Sequence, residues 1–261
     1  MRIATWNVNS LKVRLGRVEE WVAYAQPDVV CLQETKLSDA TFPHMAFSTL
    51  GYESVHHGFG QWNGVAILSR VGIKDPVFGF AEGLEADTDS RLITATCGDA
   101  RIVSVYVPNG RALDDPHYQY KLSWLDRLRH HLDITADPNR PVAVCGDFNV
   151  APEDRDVWDP AAFTGATHVS KPERDALAHL ESWGLQDAFR LRYDQDQLFS
   201  YWDYRAGDFH QHRGMRIDLM LVSKPLAERL TWAIIDRNAR KGKLPSDHAP
   251  VVIDVADEDA A

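Results

Sequence analysis

The sequence is poor in cysteine and has no long apolar run. Three cysteines occur in 261 residues, and Cys31 and Cys145 lie inside apolar segments. An odd number of cysteines without metal-ligand spacing disfavours a disulfide framework or a zinc site, and favours buried thiols in a cytoplasmic protein. No segment approaches the ~18 consecutive apolar residues that a membrane-spanning helix requires, so no membrane partner is expected. Segment 1–7 is typical of a strand rather than of a secretion signal.

Positive charge is also scarce. The chain has 28 Lys and Arg against 38 Asp and Glu, a formal net charge of −10. This disfavours a polyanionic ligand at first sight, but association depends on the local field rather than on net charge. An acidic tail accounts for part of the excess, and basic residues cluster in two places, Arg213 with Arg216, and Arg237, Arg240, Lys241 and Lys243. Net charge therefore does not exclude a nucleic acid.

Low-complexity segments, internal repeats and Gly/Ser linkers are absent as well, so we expect one domain over residues 1–261, ending in the acidic tail. Apolar residues at helical spacing predict three helices, one after Ser10 to Ala25, one from Pro116 to Leu132 and one from Ser170 to near Gly184. Ser10 and Ser170 are good N-cap residues, and Glu173 would complete a capping box at the third helix.

Short β-rich segments outnumber these helices and do not strictly alternate with them. Strands are predicted at 2–6, 29–33, 52–57, 65–69, 91–97, 101–107, 141–145, 200–204, 217–222 and 250–255. This pattern favours an α/β protein in which two mixed sheets pack face to face with helices outside, over a doubly wound parallel sheet.

Apolar runs end repeatedly in carboxylates, amides or histidine. The residues at these ends are Asn7, Glu34, Asn109, Asp147, Asn149, Asp218 and His248. Asp147 and Asn149 share one end, so the chain has six such ends, and together they predict strand tips gathered around one hydrolytic site.

Each of these residues suits a step of phosphate-ester hydrolysis. Glu34 offers the oxygen ligand that Mg²⁺ prefers, and Asn7 could supply an amide oxygen or hold a ligand water. Asp147 can orient or deprotonate water, while Asn149 can donate to a phosphate oxygen. Asp218 can keep His248 in one tautomer and protonated, so that the imidazole donates to a phosphoryl oxygen.

Each residue also has an ordinary structural interpretation. Glu34 could end a strand at the surface, and Asp147 with Asn149 could form a turn. His248 could lie in a capped loop, and the aromatic residues Tyr201 and Trp202 could be core rather than the lining of a sugar pocket. The ordered combination, rather than any single residue, indicates a function.

In that order the residues resemble the exonuclease III family of abasic-site endonucleases, within the wider endonuclease/exonuclease/phosphatase superfamily. The matching segments span nearly the whole chain: 6–9, 27–36, 106–110, 146–149, 216–218 and 246–250. The resemblance implies a four-layer α/β sandwich of the DNase I type. It also implies Mg²⁺-dependent cleavage of duplex DNA 5′ to abasic sites, with 3′→5′ exonuclease and 3′-end-cleaning activity in base excision repair, and with Mn²⁺ able to substitute.

The resemblance also implies individual roles. Asp147 would handle the attacking water or the leaving-group proton. The scissile phosphate would be held by Tyr106, Asn109, Asn149 and His248, with Asp218 orienting His248. The metal group would comprise Glu34, Asn7 and Asp247. The resemblance places Tyr201 and Trp202 around the extruded sugar and Arg111 in a loop that reaches into the duplex. The basic clusters add Arg213, Arg216, Arg240 and Lys241 as expected contacts to DNA with abasic sites or blocked 3′ ends.

One departure from some family members is Asn9, where they have an acidic residue, and this lower charge puts a two-metal scheme in doubt. A monomer is expected. The competing hypotheses are a phosphoesterase of the same fold that acts on another phosphodiester, and a DNA-binding relative without catalysis. Intact Glu34, Asp147 and His248 favour an active enzyme, because losing one phosphate-stabilising donor commonly costs ~10²–10³ in rate.

Overall fold

The computed structural model describes residues 1–257, in which twelve strands form two mixed sheets. The strands are β1 (Arg2–Asn7), β2 (Val29–Gln33), β3 (Glu53–His57), β4 (Val65–Ser69), β5 (Lys74–Phe78), β6 (Leu92–Cys97), β7 (Ala100–Tyr106), β8 (Val142–Asp147), β9 (Leu185–Asp187), β10 (Asp218–Ser223), β11 (Leu230–Ile235) and β12 (Val251–Val255). The helices are α1 (Leu11–Ala25), α2 (His44–Ser48), α3 (Pro116–Thr135), α4 (Lys171–Glu181), α5 (Asp208–Gln211) and α6 (Lys224–Glu228).

Each sheet contains six strands and one parallel pair near its centre. The first has the order β11-β12-β1-β2-β4-β3, with β1 and β2 parallel. The second has the order β5-β6-β7-β8-β10-β9, with β7 and β8 parallel. Since the carboxyl ends of parallel neighbours meet at one edge of a sheet, each sheet brings two strand ends together at its centre.

Alternating side chains explain the layers. Along β1, Ile3 faces the core between the two sheets, whereas Ala4 faces the core under α1. Leu125 and Leu128 of α3 pack on the outer face of the second sheet, together with Leu180 of α4. The order of layers is therefore helix, sheet, sheet, helix, and the predicted four-layer sandwich is confirmed.

The local predictions differ from the structure in a few places. Segment 200–204 is not a strand, because Tyr201 makes only isolated bridges to Met215 and His248. The strands β5, β9 and β11 were not predicted; β5 is largely exposed and β9 has only three residues. Ser10 precedes α1 but makes no side-chain capping bond, whereas the capping box of Ser170 and Glu173 is present.

Among residues 1–257, no helix is long and apolar enough to cross a membrane. The acidic tail lies only partly within this range, because Glu258 and Asp259 fall outside the described residues.

Candidate active site

The strand registers place three candidate residues side by side. Tyr106 at the end of β7 is opposite Asp147 at the end of β8, which is opposite Asp218 at the start of β10. In the facing sheet, Asn7 ends β1 opposite Gln33, and Glu34 follows directly. The short apolar strands are buried in the core, and their polar ends come together at one edge of the sandwich.

Asn7 joins the two sheets at this edge. Its side-chain nitrogen donates to Glu34 Oε1 at 2.8 Å and to Asp147 Oδ2 at 2.9 Å. The orientation of the amide is fixed, because its oxygen accepts from the backbone nitrogen of Asn9 at 3.0 Å. Asn7 therefore meets the carboxylates as a donor, while its amide oxygen is engaged by the backbone of Asn9.

Glu34 lies in a strained turn and has a cationic neighbour. Its φ of 51° is in the left-handed region that side chains rarely adopt. Lys36 Nζ lies 2.9 Å from Glu34 Oε2, and it also donates to Asn9 at 2.6 Å. Burial alone would raise the pKa of Glu34, but the charge of Lys36 and the Asn7 bond outweigh it and lower the pKa. Glu34 is therefore a carboxylate at neutral pH.

His248 is held as a cation. Its Nδ1 lies 2.8 Å from Asp218 Oδ2, and the same oxygen accepts from the Ser200 hydroxyl at 2.6 Å. Burial would lower the pKa of His248, but the charges of Asp218 and Asp147 outweigh it and raise the pKa to about 10. An imidazolium in this position is a hydrogen-bond donor through both ring nitrogens.

Asp147 is fully enclosed between charged groups. Burial, with the nearby charges of Asp218 and Glu34, raises its pKa to about 7, while His248 and Asn7 act in the opposite direction. Its side chain also accepts from the backbone nitrogen of Asn149 at 2.9 Å. Asp147 can therefore exchange a proton near neutral pH, which is what a general acid or base requires.

Glu34, Asp147 and His248 together form a candidate metal site, because one ligand atom from each lies within 4.8 Å of the others. Carboxylate oxygens suit a hard divalent cation, and Glu34 is the member of this cluster that is fully ionised at neutral pH. Asp247, which was expected in the metal group, instead accepts from the Asn9 side chain at 3.1 Å. It lies outside the three-residue cluster.

Asn109 and Asn149 lie together beside this cluster. The Asn109 side-chain nitrogen donates to Asn149 Oδ1 at 3.1 Å, and Asn149 donates to the Val107 carbonyl at 2.9 Å. His168 Nε2 lies 3.1 Å from Asn149 Oδ1. Burial, and then the charge of Lys121, lower the pKa of His168 to about 3, so its ring is neutral.

A buried ion pair supports the two loops that carry Asn109 and Asn149. Lys121 Nζ donates to Asn149 O at 2.6 Å and to Asn109 O at 3.2 Å, and it pairs with Glu173 at 2.5 Å. Glu173 in turn accepts from the backbone nitrogen of His168 at 2.9 Å. One lysine thus fixes the carbonyl groups of both candidate phosphate-binding residues.

Tyr106 lies next to the acidic cluster. Burial raises the pKa of its hydroxyl well above the usual range, and the nearby charge of Glu34 raises it further. The guanidinium of Arg91 lies over its ring, 4.7 Å from the centroid. Tyr106 is therefore a neutral hydroxyl that can donate to a substrate oxygen.

Of the residues expected to contact DNA, four reach the surface or the site. Tyr201 is half-buried, with its ring 4.8 Å from that of His248. Arg111, Arg213 and Lys241 are exposed, and Arg213 lies over Trp158 at 5.2 Å.

The other three are buried, and their placement at a DNA surface is wrong. Trp202 is 1% exposed and packs against Phe199 and Phe209. Arg216 is 0% exposed, because its guanidinium pairs with Asp156 and Asp187. Arg240 is buried and donates to the Ser246 carbonyl. Sequence proximity to basic or aromatic clusters does not show which side chains point inward.

Four residues that shape the site were not predicted from the sequence: Lys36, Arg91, His168 and Ser200. Lys36 lies two positions after Glu34, so sequence spacing could have indicated it. The other three enter from loops or strands without a polar motif of their own, and only the fold places them here.

The chain is similar to known proteins over nearly its whole length. The model of the endonuclease/exonuclease/phosphatase family matches residues 4–248. Exodeoxyribonuclease III of Haemophilus influenzae is 33% identical over 96% of this chain and 98% of its own. The structure of an AP endonuclease from Archaeoglobus fulgidus superposes with a TM-score of 0.95 at 36% identity, over 98% of this chain and 100% of its own.

A third similar protein is the 3′ phosphatase NExo from Neisseria, solved with a product DNA hairpin. It superposes with a TM-score of 0.94 at 37% identity, over 98% of this chain and 99% of its own. Because the family model covers most of the chain and these relatives match over nearly their full length, the chain belongs to the endonuclease/exonuclease/phosphatase family.

Proposed function

We propose that the chain is a DNA repair hydrolase that cleaves the phosphodiester 5′ to abasic sites in duplex DNA. Exonuclease activity in the 3′→5′ direction and cleaning of blocked 3′ ends belong to the same proposal. The observation that carries it is the buried cluster in which two carboxylates and an imidazolium share one space within 4.8 Å. Such a cluster suits a cation and an anionic phosphate oxygen at once. The names of the similar proteins support DNA as the substrate.

Mg²⁺ is the proposed cofactor, with Mn²⁺ able to substitute. Glu34 would hold it through its carboxylate oxygens, with Asp147 beside it in the same space. When bound, the cation would supply positive charge to stabilise the phosphorane-like transition state. The neutral Asn9 and the ammonium of Lys36 beside Glu34 support a single-cation site.

The remaining polar groups of the site would surround the scissile phosphate. The imidazolium of His248, held by Asp218, donates to a phosphoryl oxygen, and the amides of Asn109 and Asn149 offer further donors. Asp147 takes a proton from water or returns one to the leaving group, and its pKa of about 7 suits either role. Preorganised donors of this kind are commonly the largest contribution to rate.

Duplex binding is assigned to the exposed residues Arg111, Arg213 and Lys241, with Tyr201 beside the extruded sugar. A nucleotide that lacks its base is cheaper to extrude, and this supports selectivity for abasic sites. The proposed working form is a monomer in which one domain carries the whole site. Asn7 and Asp147 support this, because they are far apart in sequence and yet hydrogen-bonded to each other. Three free buried cysteines support a cytoplasmic setting.

The direct test uses a duplex with one stable abasic analogue, with Mg²⁺ or with EDTA. A nick immediately 5′ to the analogue, only with Mg²⁺, is the expected result. A second duplex with a 3′-phosphate end measures end cleaning under the same conditions. Intact DNA in both arms, with hydrolysis of a small phosphodiester, would instead assign the fold to another substrate.

A further inference from the structure

The turn that carries Glu34 is held by a chain of hydrogen-bonded side chains outside the catalytic cluster. Glu34 and Lys36 both have positive φ values, 51° and 53°, and Thr35 between them is fully buried. Strained residues persist only when the surrounding structure fixes them. The contacts of Thr35 therefore bear directly on where the Glu34 carboxylate points.

Thr35 is bonded to a histidine that has no role in the proposed chemistry. Its hydroxyl lies 2.8 Å from His56 Nε2, and His56 Nδ1 lies 2.7 Å from Asp39 Oδ1. Because a carboxylate only accepts, Nδ1 of His56 carries the proton. Burial lowers the pKa of His56 to about 4, so the ring is neutral and Nε2 accepts from Thr35. The direction of each bond in the chain is thus fixed.

Packing leaves this chain little freedom to move. The ring of Phe42 stacks on His56, with centroids 4.4 Å apart and planes at 20°. A Cβ at Gly64 would lie 2.2 Å from Thr35 Oγ1, and one at Gly58 would lie 2.4 Å from His56 Cε1. Both glycines are therefore required by the close approach of the bonded side chains.

The loop that follows β3, residues 58–64, also holds the turn through backbone hydrogen bonds. Thr35 N donates to Gly64 O at 3.1 Å, and Lys36 N donates to Asn63 O at 2.9 Å. On the other side, Ser10 N donates to Glu34 O at 2.8 Å. The turn is thus clamped between the start of α1 and the loop that follows β3, and the hydroxyl of Thr35 is its side-chain anchor.

From this geometry we infer that Asp39, His56 and Thr35 form a positioning relay that holds the strained turn and aims Glu34 for cation binding. The inference rests on the proposed metal-dependent function, since it assigns the relay to the same site. The relay acts through Glu34, and none of its members touches the substrate. Loss of the relay lowers the affinity of the site for the cation and leaves duplex binding unchanged.

The test compares Thr35→Val, which keeps the shape but removes the hydroxyl, with Thr35→Ser, which keeps the hydroxyl. Mn²⁺ binding to the DNA-free protein is measured by electron paramagnetic resonance, and Mg²⁺ half-saturation is measured from cleavage. Thr35→Val should weaken both by about tenfold, as expected when a group supporting a ligand is lost, with Thr35→Ser close to wild type. Duplex affinity in EDTA should stay the same in both.

A matched control exists elsewhere in the chain. Thr94 of β6 makes the same kind of buried bond, 2.7 Å from Nε2 of His131 on α3. Thr94→Val therefore reports the effect of losing a buried threonine–histidine bond away from the turn, and it should leave Mn²⁺ binding unchanged. Equal weakening in Thr94→Val and Thr35→Val would overturn the inference, and so would wild-type metal binding in Thr35→Val.

Two further outcomes are distinguishable. If thermal melting shows that Thr35→Val is unfolded, His56→Phe replaces it, because the new ring still packs against Phe42. His56→Phe should then weaken Mn²⁺ binding and Mg²⁺ half-saturation in the same way. If wild-type cleavage is independent of metal, the proposed function fails. If wild type requires metal and Thr35→Val binds Mn²⁺ normally, the relay alone fails.

Discussion

Nε2 of His248 lies 3.8 Å from Oδ2 of Asp147, while Nδ1 of the same ring is bonded to Asp218. The imidazole thus lies between two buried carboxylates, one of which is bonded to it and one of which faces it across a gap. A buried carboxylate costs free energy unless it is paired, so both favour a charged ring. This arrangement determines the acid–base behaviour of the site.

The first prediction concerns the pH dependence of stability. The folded-state pKa of His248 is about 10, above its ordinary value of 6.5, so the folded protein holds this proton more tightly than the unfolded chain. This contribution to stability is complete below pH 6.5 and is lost as pH rises through 10. Urea unfolding of metal-free protein should show decreasing stability between these values. His248→Gln should flatten the decrease, and an equally steep decrease in the variant would refute the assignment.

Asp147→Asn separates catalysis from binding. Removal of the proton-exchanging carboxylate should lower single-turnover cleavage by about 10³-fold or more, within the range for lost acid–base catalysis. The neutral amide is cheaper to bury than a carboxylate whose pKa is raised to about 7, so the melting temperature at pH 8 should rise. Duplex affinity should change little. Equal losses of cleavage and binding would indicate a structural role.

Asp218→Asn tests the partner of His248. Without the Asp218 charge, burial is opposed by fewer negative charges and the pKa of His248 falls, so the ring loses its proton at lower pH. Cleavage should fall by roughly 10²-fold at pH 8, with a smaller loss at pH 6. Nuclear magnetic resonance titration of the His248 ring measures the shift directly. An unchanged ring titration would show that Asp218 only packs against the histidine.

Much of the fold and site could be predicted from sequence because apolar runs and polar ends are local patterns. The ends of β1, β2, β7 and β8 were found this way, and so were the carboxylates Glu34 and Asp147. The inward or outward direction of a side chain depends on tertiary partners that are distant in sequence. Arg216 was expected at a DNA surface, but it pairs with Asp156 and Asp187 from other segments.

The wrongly predicted strand and the buried charged residues have a similar explanation. Segment 200–204 has the aromatic content of a strand, yet its Tyr201 bridges two different segments instead of one neighbour. The supporting residues Lys121 and Glu173 lie on helical faces where charged residues usually meet solvent. Only the packing of α3 beside α4 buries them together.

This buried ion pair gives a stability prediction with a matched control. Lys121→Met should destabilise the protein by about 3–5 kcal/mol, because it leaves Glu173 charged and buried without its cation. It should also lower cleavage, since the carbonyls of Asn109 and Asn149 lose a common donor. Lys171→Met removes an exposed pair with Asp175 and should cost under about 1 kcal/mol. Similar unfolding midpoints for the two variants would contradict the role given to Lys121.

The last prediction concerns salt dependence and separates two basic residues. Lys241 is exposed, whereas Arg216 is fully buried between two carboxylates. A lysine that neutralises one phosphate contributes about 0.9 to the slope of log affinity against log salt for duplex DNA. Lys241→Ala should therefore reduce the slope by about this amount for every duplex sequence. Arg216→Met should leave the slope unchanged in the folded fraction, because Arg216 has no access to solvent, and should instead lower the unfolding midpoint. Fluorescence anisotropy of a labelled duplex over a salt series measures both slopes. A reduced slope in Arg216→Met would mean that the buried pair opens when DNA binds.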